Sequence, residues 1–400
     1  MIPKPLILLV VLMLGCIQPE IPVEENTVPA TPPALQNELM GNETNEEETE
    51  MVSPDEIYWK ERVEAAFAPV ECPSPPLIDY PDSYYQGPLI DNHIHISSIF
   101  DGGPGSEPEK TDHPALGVTS HITDYMCTLR YDGSMQALTF FPVWDPIADQ
   151  YLDIAKRTMK EYPDLFIPFI MPPDDDGNPN GFPTVDAKKL DEFLSRHPGL
   201  FRGYGEIGLY ARPGGAPALF PNSPRLKEIY PIVRKHNLVV YFHLGEGQQE
   251  AFEEILSENP DITFIFHGDQ LISYQQDGTQ YLSAIEEILE NHSNVYYEVD
   301  ELWGDVWLLK PGASKEDFLA HFEDYGPLLE KDVATWKPFI ERFPDQVLWG
   351  SDRGVSTLWD LDRDVAFQLQ DYVRAFIGKL DPSVQEKYAY KNSERIFAKK

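Results

Sequence analysis

Six residues of this chain are of the types that hold a divalent cation: His93, His95, Glu206, His243, His267 and Asp352. Imidazole and carboxylate together suit borderline divalent metals, zinc above all. A lone His-x-His pair such as His93-Ile94-His95 is a weak signal; its weight comes from where the other four residues fall. Four of the ten histidines close apolar runs, as in Leu89-Ile90-Asp91-Asn92-His93-Ile94-His95, Val239-Val240-Tyr241-Phe242-His243 and Thr263-Phe264-Ile265-Phe266-His267. A polar ring in such a run needs a partner once it is buried. Any one of them alone reads as a hydrogen-bonded core histidine. Four of them converging with two carboxylates do not.

Convergence requires a scaffold, and the hydrophobic pattern supplies one. Eight apolar runs of strand length occur at 89–95, 137–143, 165–171, 200–207, 238–244, 262–267, 294–299 and 346–350. Stretches of helical period separate them, at 146–161, 187–196, 223–236, 250–257, 281–290 and 336–342, and further helices follow from 361. Eight strand-helix units predict an α/β chain folded as a (β/α)8 TIM barrel over 88–400. Residues i and i+2 of a strand face the same way, so His93 and His95 share one face. All six candidates then lie at the C-terminal strand ends, the rim where barrels build their sites. A doubly wound sheet is the alternative, but no G-x-G-x-x-G or Walker A pattern follows the first run.

The remaining sequence sets the surroundings. With 400 residues, 42% hydrophobic and 12% aromatic, the chain can bury a sizeable core. Lys and Arg number 31 against 67 Asp and Glu, a net charge of -36 that disfavours nucleic-acid partners. Residues 1–16 read as a short signal peptide, Leu6–Leu14 being too short to span a bilayer. Met13-Leu14-Gly15-Cys16 resembles a prokaryotic lipobox in a loose form. That resemblance implies lipidation at Cys16, a membrane tether and an extracytoplasmic location, with plain secretion or an uncleaved anchor as alternatives. Residues 17–56 carry eleven acids and no Lys or Arg, with Pro, Thr and Asn filling much of the rest, and read as a disordered linker. Asn42-Glu43-Thr44 has the form of a glycosylation sequon. Residues 57–87 read as an extension packed on the barrel, with a helix at 57–67. The barrel's own acidity fits either a soluble surface or life in high salt. Cys72 and Cys127 remain after Cys16, and their spacing leaves pairing open.

The segments Ile90-Asp91-Asn92-His93-Ile94-His95, His243, His267-Gly268, Asn294-Val295-Tyr296-Tyr297-Glu298, Val347-Leu348-Trp349-Gly350-Ser351-Asp352 and Asn392-Ser393-Glu394-Arg395-Ile396-Phe397 together resemble the amidohydrolase superfamily. They are most similar to its amidohydrolase-related branch of lactone hydrolases and decarboxylases, over roughly 88–398. Gly205-Glu206-Ile207-Gly208-Leu209 instead resembles the strand-four Glu of TatD-like hydrolases, which bridges two metals. The resemblance implies that His93, His95 and His243 bind a first ion, with Asp352 completing the site and accepting the proton of an activated water. It implies that His267 binds a second ion or polarises a substrate carbonyl. One or two ions remain open, as does hydrolysis of a lactone, ester or amide against non-oxidative decarboxylation. A surface binding lipoprotein with a structural metal is the reading from another class. No Gly-x-Ser-x-Gly elbow or Cys-His nucleophile pattern competes with these.

Four further features sit at predicted rim positions. Arg212 and Arg353 are candidates to pair with an anionic substrate group. Trp303, with Trp307 and the acids Glu298, Asp300 and Glu301, could line a pocket or pack as a lid. Asp174-Asp175-Asp176-Gly177-Asn178 faintly resembles a calcium loop but fits a turn better. The Gly/Pro-rich stretch 100–114 is placed to act as a flap.

Overall fold

In the computed structural model, residues 53–398 are described apart from 75–77, 97–120, 144–147, 172–185, 212–217, 269–270, 275–279, 301, 303–313 and 355–357. The signal segment with Cys16, the linker up to residue 52, Arg212, Trp303, Trp307, the aspartate-rich turn and the flap all lie outside the described residues. Among the described residues no helix is long and apolar enough to cross a membrane.

Eight parallel strands form one sheet in which spatial order equals sequence order. They are β1 (Leu89–His95), β2 (Ser134–Pro142), β3 (Phe166–Met171), β4 (Gly203–Gly208), β5 (Val239–His243), β6 (Phe264–His267), β7 (Val295–Val299) and β8 (Val347–Trp349). The last strand returns to the first, making a nearly closed barrel. A parallel bridge joins Ile94 to Arg353, and His95 N–H donates to the Arg353 carbonyl at 2.8 Å. A small antiparallel pair, Ser273–Tyr274 with Gln280–Tyr281, follows β6.

Helices alternate with the strands, and their ends follow local chemistry. Ser53 caps α1 (Pro54–Ala66) by accepting from Glu56 N–H, with Pro54 in the first turn. The last residues assigned from sequence to the linker therefore belong to this helix. α2 (Ile122–Asp132) was not anticipated. His121 and Asp124 form its capping box, and Gly133 stops it with φ 70°. α3 (Ala148–Glu161), α4 (Ala187–Arg196), α5 (Pro224–Lys235), α6 (Gln249–Glu258) and α7 (Ser283–Asn291) lie close to their predicted bounds. α8 (Lys315–His321) was not anticipated, and α9 (Gly326–Arg342) starts well before the predicted Trp336. α10 (Arg363–Ile377) and short C-terminal helices complete the chain.

Two apolar layers hold the barrel. Inside it, Ile90, Leu138, Phe140, Ile167, Phe169, Tyr241, Ile265 and Leu348 pack together, and Ile396 and Phe397 pack against them. Each such side chain, fully buried, contributes about 1.5–3 kcal/mol. A larger cluster fills the space between strands and helices. The N-terminal extension joins that layer through Ala66 and Tyr85. A disulfide between Cys72 and Cys127 links it to α2, so the two cysteines left open by spacing do pair.

Candidate metal centre

Simple alternation along β1 would put Ile90 and His93 on opposite faces, yet both point into the barrel. The cause is a bulge. Asp91 pairs with Ala137 and Ile94 with Thr139, so β1 advances three residues while β2 advances two. His93 and His95 consequently face inward, their rings 5.1 and 5.0 Å from the Phe140 ring. β4 does the same. Tyr204 pairs with Val240 and Ile207 with Phe242, and the extra residue turns Glu206 inward between two side chains of the outer layer. Gly205 is required at that step: its φ is 130°, and a Cβ there would lie 2.3 Å from the Tyr241 carbonyl oxygen.

All six sequence candidates meet at the rim. His93 Nε2 lies 3.0 Å from His95 Nε2, and these atoms lie 3.1 and 3.3 Å from Asp352 Oδ1. Glu206 turns Oε2 toward His95 Nε2 at 3.1 Å. Its other oxygen, Oε1, faces His243 Nδ1 at 3.0 Å and His267 Nε2 at 2.8 Å. Among the described residues the six candidates form two donor groups, His93 with His95 and Asp352, and Glu206 with His243 and His267, so His243 falls with the second group and not, as the resemblance implied, with the first; His93, His267, Glu298 and Asp300 form a third group. Within each group the ligand-type atoms lie within 4.8 Å of one another. Two ring nitrogens facing each other at hydrogen-bond distance beside a buried Asp352 Oδ1 with no hydrogen-bond partner form a donor set that fits a divalent cation.

Beneath these groups lie residues whose role the sequence did not reveal. Glu298 and Asp300, read as pocket or lid residues, are instead buried under the imidazoles. Glu298 Oε2 sits 3.2 Å from His93 Nδ1 and accepts from Tyr241 Oη–H at 2.9 Å. Asp300 Oδ2 sits 2.7 Å from His267 Nδ1. Tyr241 went unremarked because it reads as an ordinary strand aromatic. The two acids were visible as an i, i+2 pair on one strand face.

Charge is concentrated here. Burial raises the Glu298 carboxyl to about 7, with the Asp300 charge adding to the effect. Burial would lower the His267 imidazole, but the charges of Asp300 and Glu206 outweigh it and hold it at about 10. His93 and His95 are raised for the same kind of reason, burial being outweighed by Asp352 and Glu206. Burial opposes ionisation of Glu206 and Asp352, yet the surrounding imidazoles hold both well below the usual carboxylate range. The negative charges of the site are thus balanced by protons on imidazole or by a cation.

Arg353 does not serve the rim. Its guanidinium is 1% exposed and bonds Ser351 Oγ at 2.9 Å, Asp91 Oδ2 at 3.0 Å and Asp132 Oδ2. Asp91 also accepts from the His93 and Ser351 backbone N–H groups at 3.1 and 3.0 Å. Arg353 is therefore a clamp across the β1–β8 seam, and the anion-pairing reading of it is corrected: its charge is already matched inside the protein. It follows Asp352, whose φ of 48° is unusual for a residue other than glycine.

A family model described as amidohydrolase matches residues 90–399. Similar solved structures include a probable 2-pyrone-4,6-dicarboxylic acid hydrolase from Acinetobacter baumannii, 13% identical with a TM-score of 0.49 over 78% of this chain and 99% of that one. An amidohydrolase from Burkholderia multivorans is 11% identical with a TM-score of 0.48, over 78% and 99%. A 2,6-dihydroxybenzoate decarboxylase from Rhizobium is 13% identical with a TM-score of 0.41, over 78% and 98%. No curated protein matches the sequence.

Proposed function

The chain belongs to the amidohydrolase family, and from that premise we propose that it is a metal-dependent hydrolase of a small molecule with an activated carbonyl, a lactone, ester or amide. The observation that carries this reading is the approach of Asp352 Oδ1 to both His93 Nε2 and His95 Nε2 at the mouth of the barrel. A divalent ion held there would supply Lewis acidity, making hydroxide available near neutral pH and polarising a carbonyl oxygen. Zinc is the first choice for this donor set, with manganese as its competitor.

The chain's own residues do the rest. His93, His95 and Asp352 would hold one ion, and His243 and His267 would hold a second. Glu206 joins the two sites with one oxygen turned toward each. Two ions are the reading that the two donor groups sharing Glu206 support. Asp352 is 9% exposed, the one carboxylate of the first donor group, and takes the proton of the attacking water and returns it to the leaving group. The Phe140 ring shields the inner side of both first-site imidazoles from water.

The test is elemental analysis followed by substrate panels before and after chelation. Ester, lactone or amide cleavage that is lost on chelation and restored by zinc or manganese supports the proposal. Release of carbon dioxide from carboxylated substrates, without hydrolysis of any panel member, overturns it in favour of decarboxylation. The proposal extends to location: a lipid on Cys16 tethers the enzyme outside the cytoplasm, and the Cys72–Cys127 pair suits an oxidising compartment. Labelling with radioactive palmitate that persists in Cys16→Ser would refute the tether.

A further inference from the structure

We propose that Glu298 and Asp300 are a pair of positioning residues that fix the tautomers of His93 and His267, turning one nitrogen of each ring toward the cations. The inference rests on the metal reading above and adds to it the means by which the ligands are oriented.

The two acids are separated by one residue at the end of β7, so they point to the same side, into the barrel. Three atoms meet under His93. Its Nδ1 lies 3.2 Å from Glu298 Oε2 and 3.0 Å from Tyr241 Oη, and Tyr241 donates to the same Glu298 oxygen at 2.9 Å. A phenol has one proton, and here it is spent on the carboxylate. With Glu298 ionised, as it would be beside a bound cation, neither neighbour has a proton for Nδ1, so Nδ1 carries its own and donates it. Nε2 is left with its lone pair, and Nε2 is the atom facing His95 and Asp352. Under His267 the same logic uses one carboxylate. Asp300 Oδ2 takes Nδ1–H at 2.7 Å, and Nε2 faces Glu206 at 2.8 Å.

Burial makes these bonds decisive. His93 and Glu298 are fully buried and His267 is 1% exposed, so solvent does not compete for the ring protons. Space is also kept for Glu298: a Cβ on Gly350 would lie 1.8 Å from its Oε1. His243 provides an internal contrast. It approaches Glu206 through Nδ1, so a cation held there would be met by the opposite ring nitrogen and would call for the opposite tautomer. Carboxylates behind ligand imidazoles typically govern metal affinity by about 10–100-fold.

The experiment is long-range nitrogen–proton NMR of histidine-labelled protein loaded with zinc, together with zinc competition against a chromophoric chelator. In the wild type, His93 and His267 should carry the proton on Nδ1 and His243 on Nε2. Glu298→Gln should weaken one zinc equivalent and Asp300→Asn the other, each by about 10–100-fold. A proton on Nε2 of His93 or His267, or variants that bind both equivalents as tightly as the wild type, would overturn the proposal. The wild-type spectrum decides the matter even if a variant does not fold. Wild-type protein that takes up no zinc, manganese or cobalt overturns the metal reading and this inference with it, whereas zinc bound with the wrong tautomers sinks this inference alone.

Discussion

Arg353 and Asp91, 262 positions apart in sequence, form a fully buried ion pair of 3.0 Å across the seam of the barrel. The same guanidinium holds Asp132, the residue that ends α2. Burial raises the Asp132 carboxyl even though Arg353 works to lower it. Removing the cation would leave two carboxylates unmatched in the interior. Arg353→Met is therefore expected to cost about 3–5 kcal/mol, read as a lower urea midpoint. Arg353→Lys should recover only part of it, since one ammonium cannot reproduce the planar fork. An unchanged midpoint in the Met variant would show that the clamp carries no stability.

Glu206 offers one oxygen to each donor group, so its loss should separate the two sites. Glu206→Ala is expected to retain the ion held by His93, His95 and Asp352 and to lose the one held by His243 and His267. Elemental analysis after dialysis measures this directly. Wild-type protein with one equivalent, or a variant that keeps two, contradicts the bridging arrangement.

Protons and metal compete for the same nitrogens. His267 is raised to about 10, and His93 and His95 are raised as well. A folded imidazole pKa above the unfolded value of about 6.5 stabilises the metal-free protein fully below that value, and the benefit is lost as pH rises through the folded pKa. Metal-free protein should therefore lose stability between about pH 6.5 and 10. Over the same window zinc affinity should rise, by about tenfold per pH unit for each proton displaced. Thermal unfolding with and without zinc across this range checks both slopes, and parallel curves would reject the competition.

The Cys72–Cys127 bridge ties the N-terminal extension to α2 and closes a separation of 55 residues. Its reduction is expected to cost about 2–5 kcal/mol through the added freedom of the unfolded chain. His93 and His95 lie inside the closed loop, but the pairing of β1 with β2 holds them independently of the bridge, so metal content should not change. Calorimetry and metal analysis with and without reductant check the two halves separately. Loss of metal on reduction would mean that the extension shapes the site.

How much of this was legible beforehand differs from residue to residue. The eight strands and most helices follow from periodicity, and the six ligand candidates follow from their positions at strand ends. α2 was missed because its signals, His121 with Asp124 and then Gly133, are caps without a clean apolar stripe. Arg353 was misjudged because one letter beside Asp352 does not say which way its side chain turns. Its partners Asp91 and Asp132 come from β1 and the end of α2, a meeting that only the folded chain creates. Glu298 and Asp300 were seen as acids at the right end of the right strand. Their task stayed hidden because it depends on what lies above them. Asp91-Asn92 and Asn392-Ser393 were read as family marks. The structure gives them work: Asn92 bonds the Trp349 carbonyl at 2.8 Å and Ser393 at 2.8 Å, stitching β1 to β8 and to the C-terminal helices.

The extra residue accommodated in β1 acts as a parity switch. Straightening that bulge with no residue gained or lost would leave every functional side chain encoded and every strand present. It would nonetheless swing the two imidazoles outward, into the helix layer. For this chain the course of the backbone through β1 and β4 is thus as decisive as the side chains it carries, because it sets which side of the wall the chemistry is on.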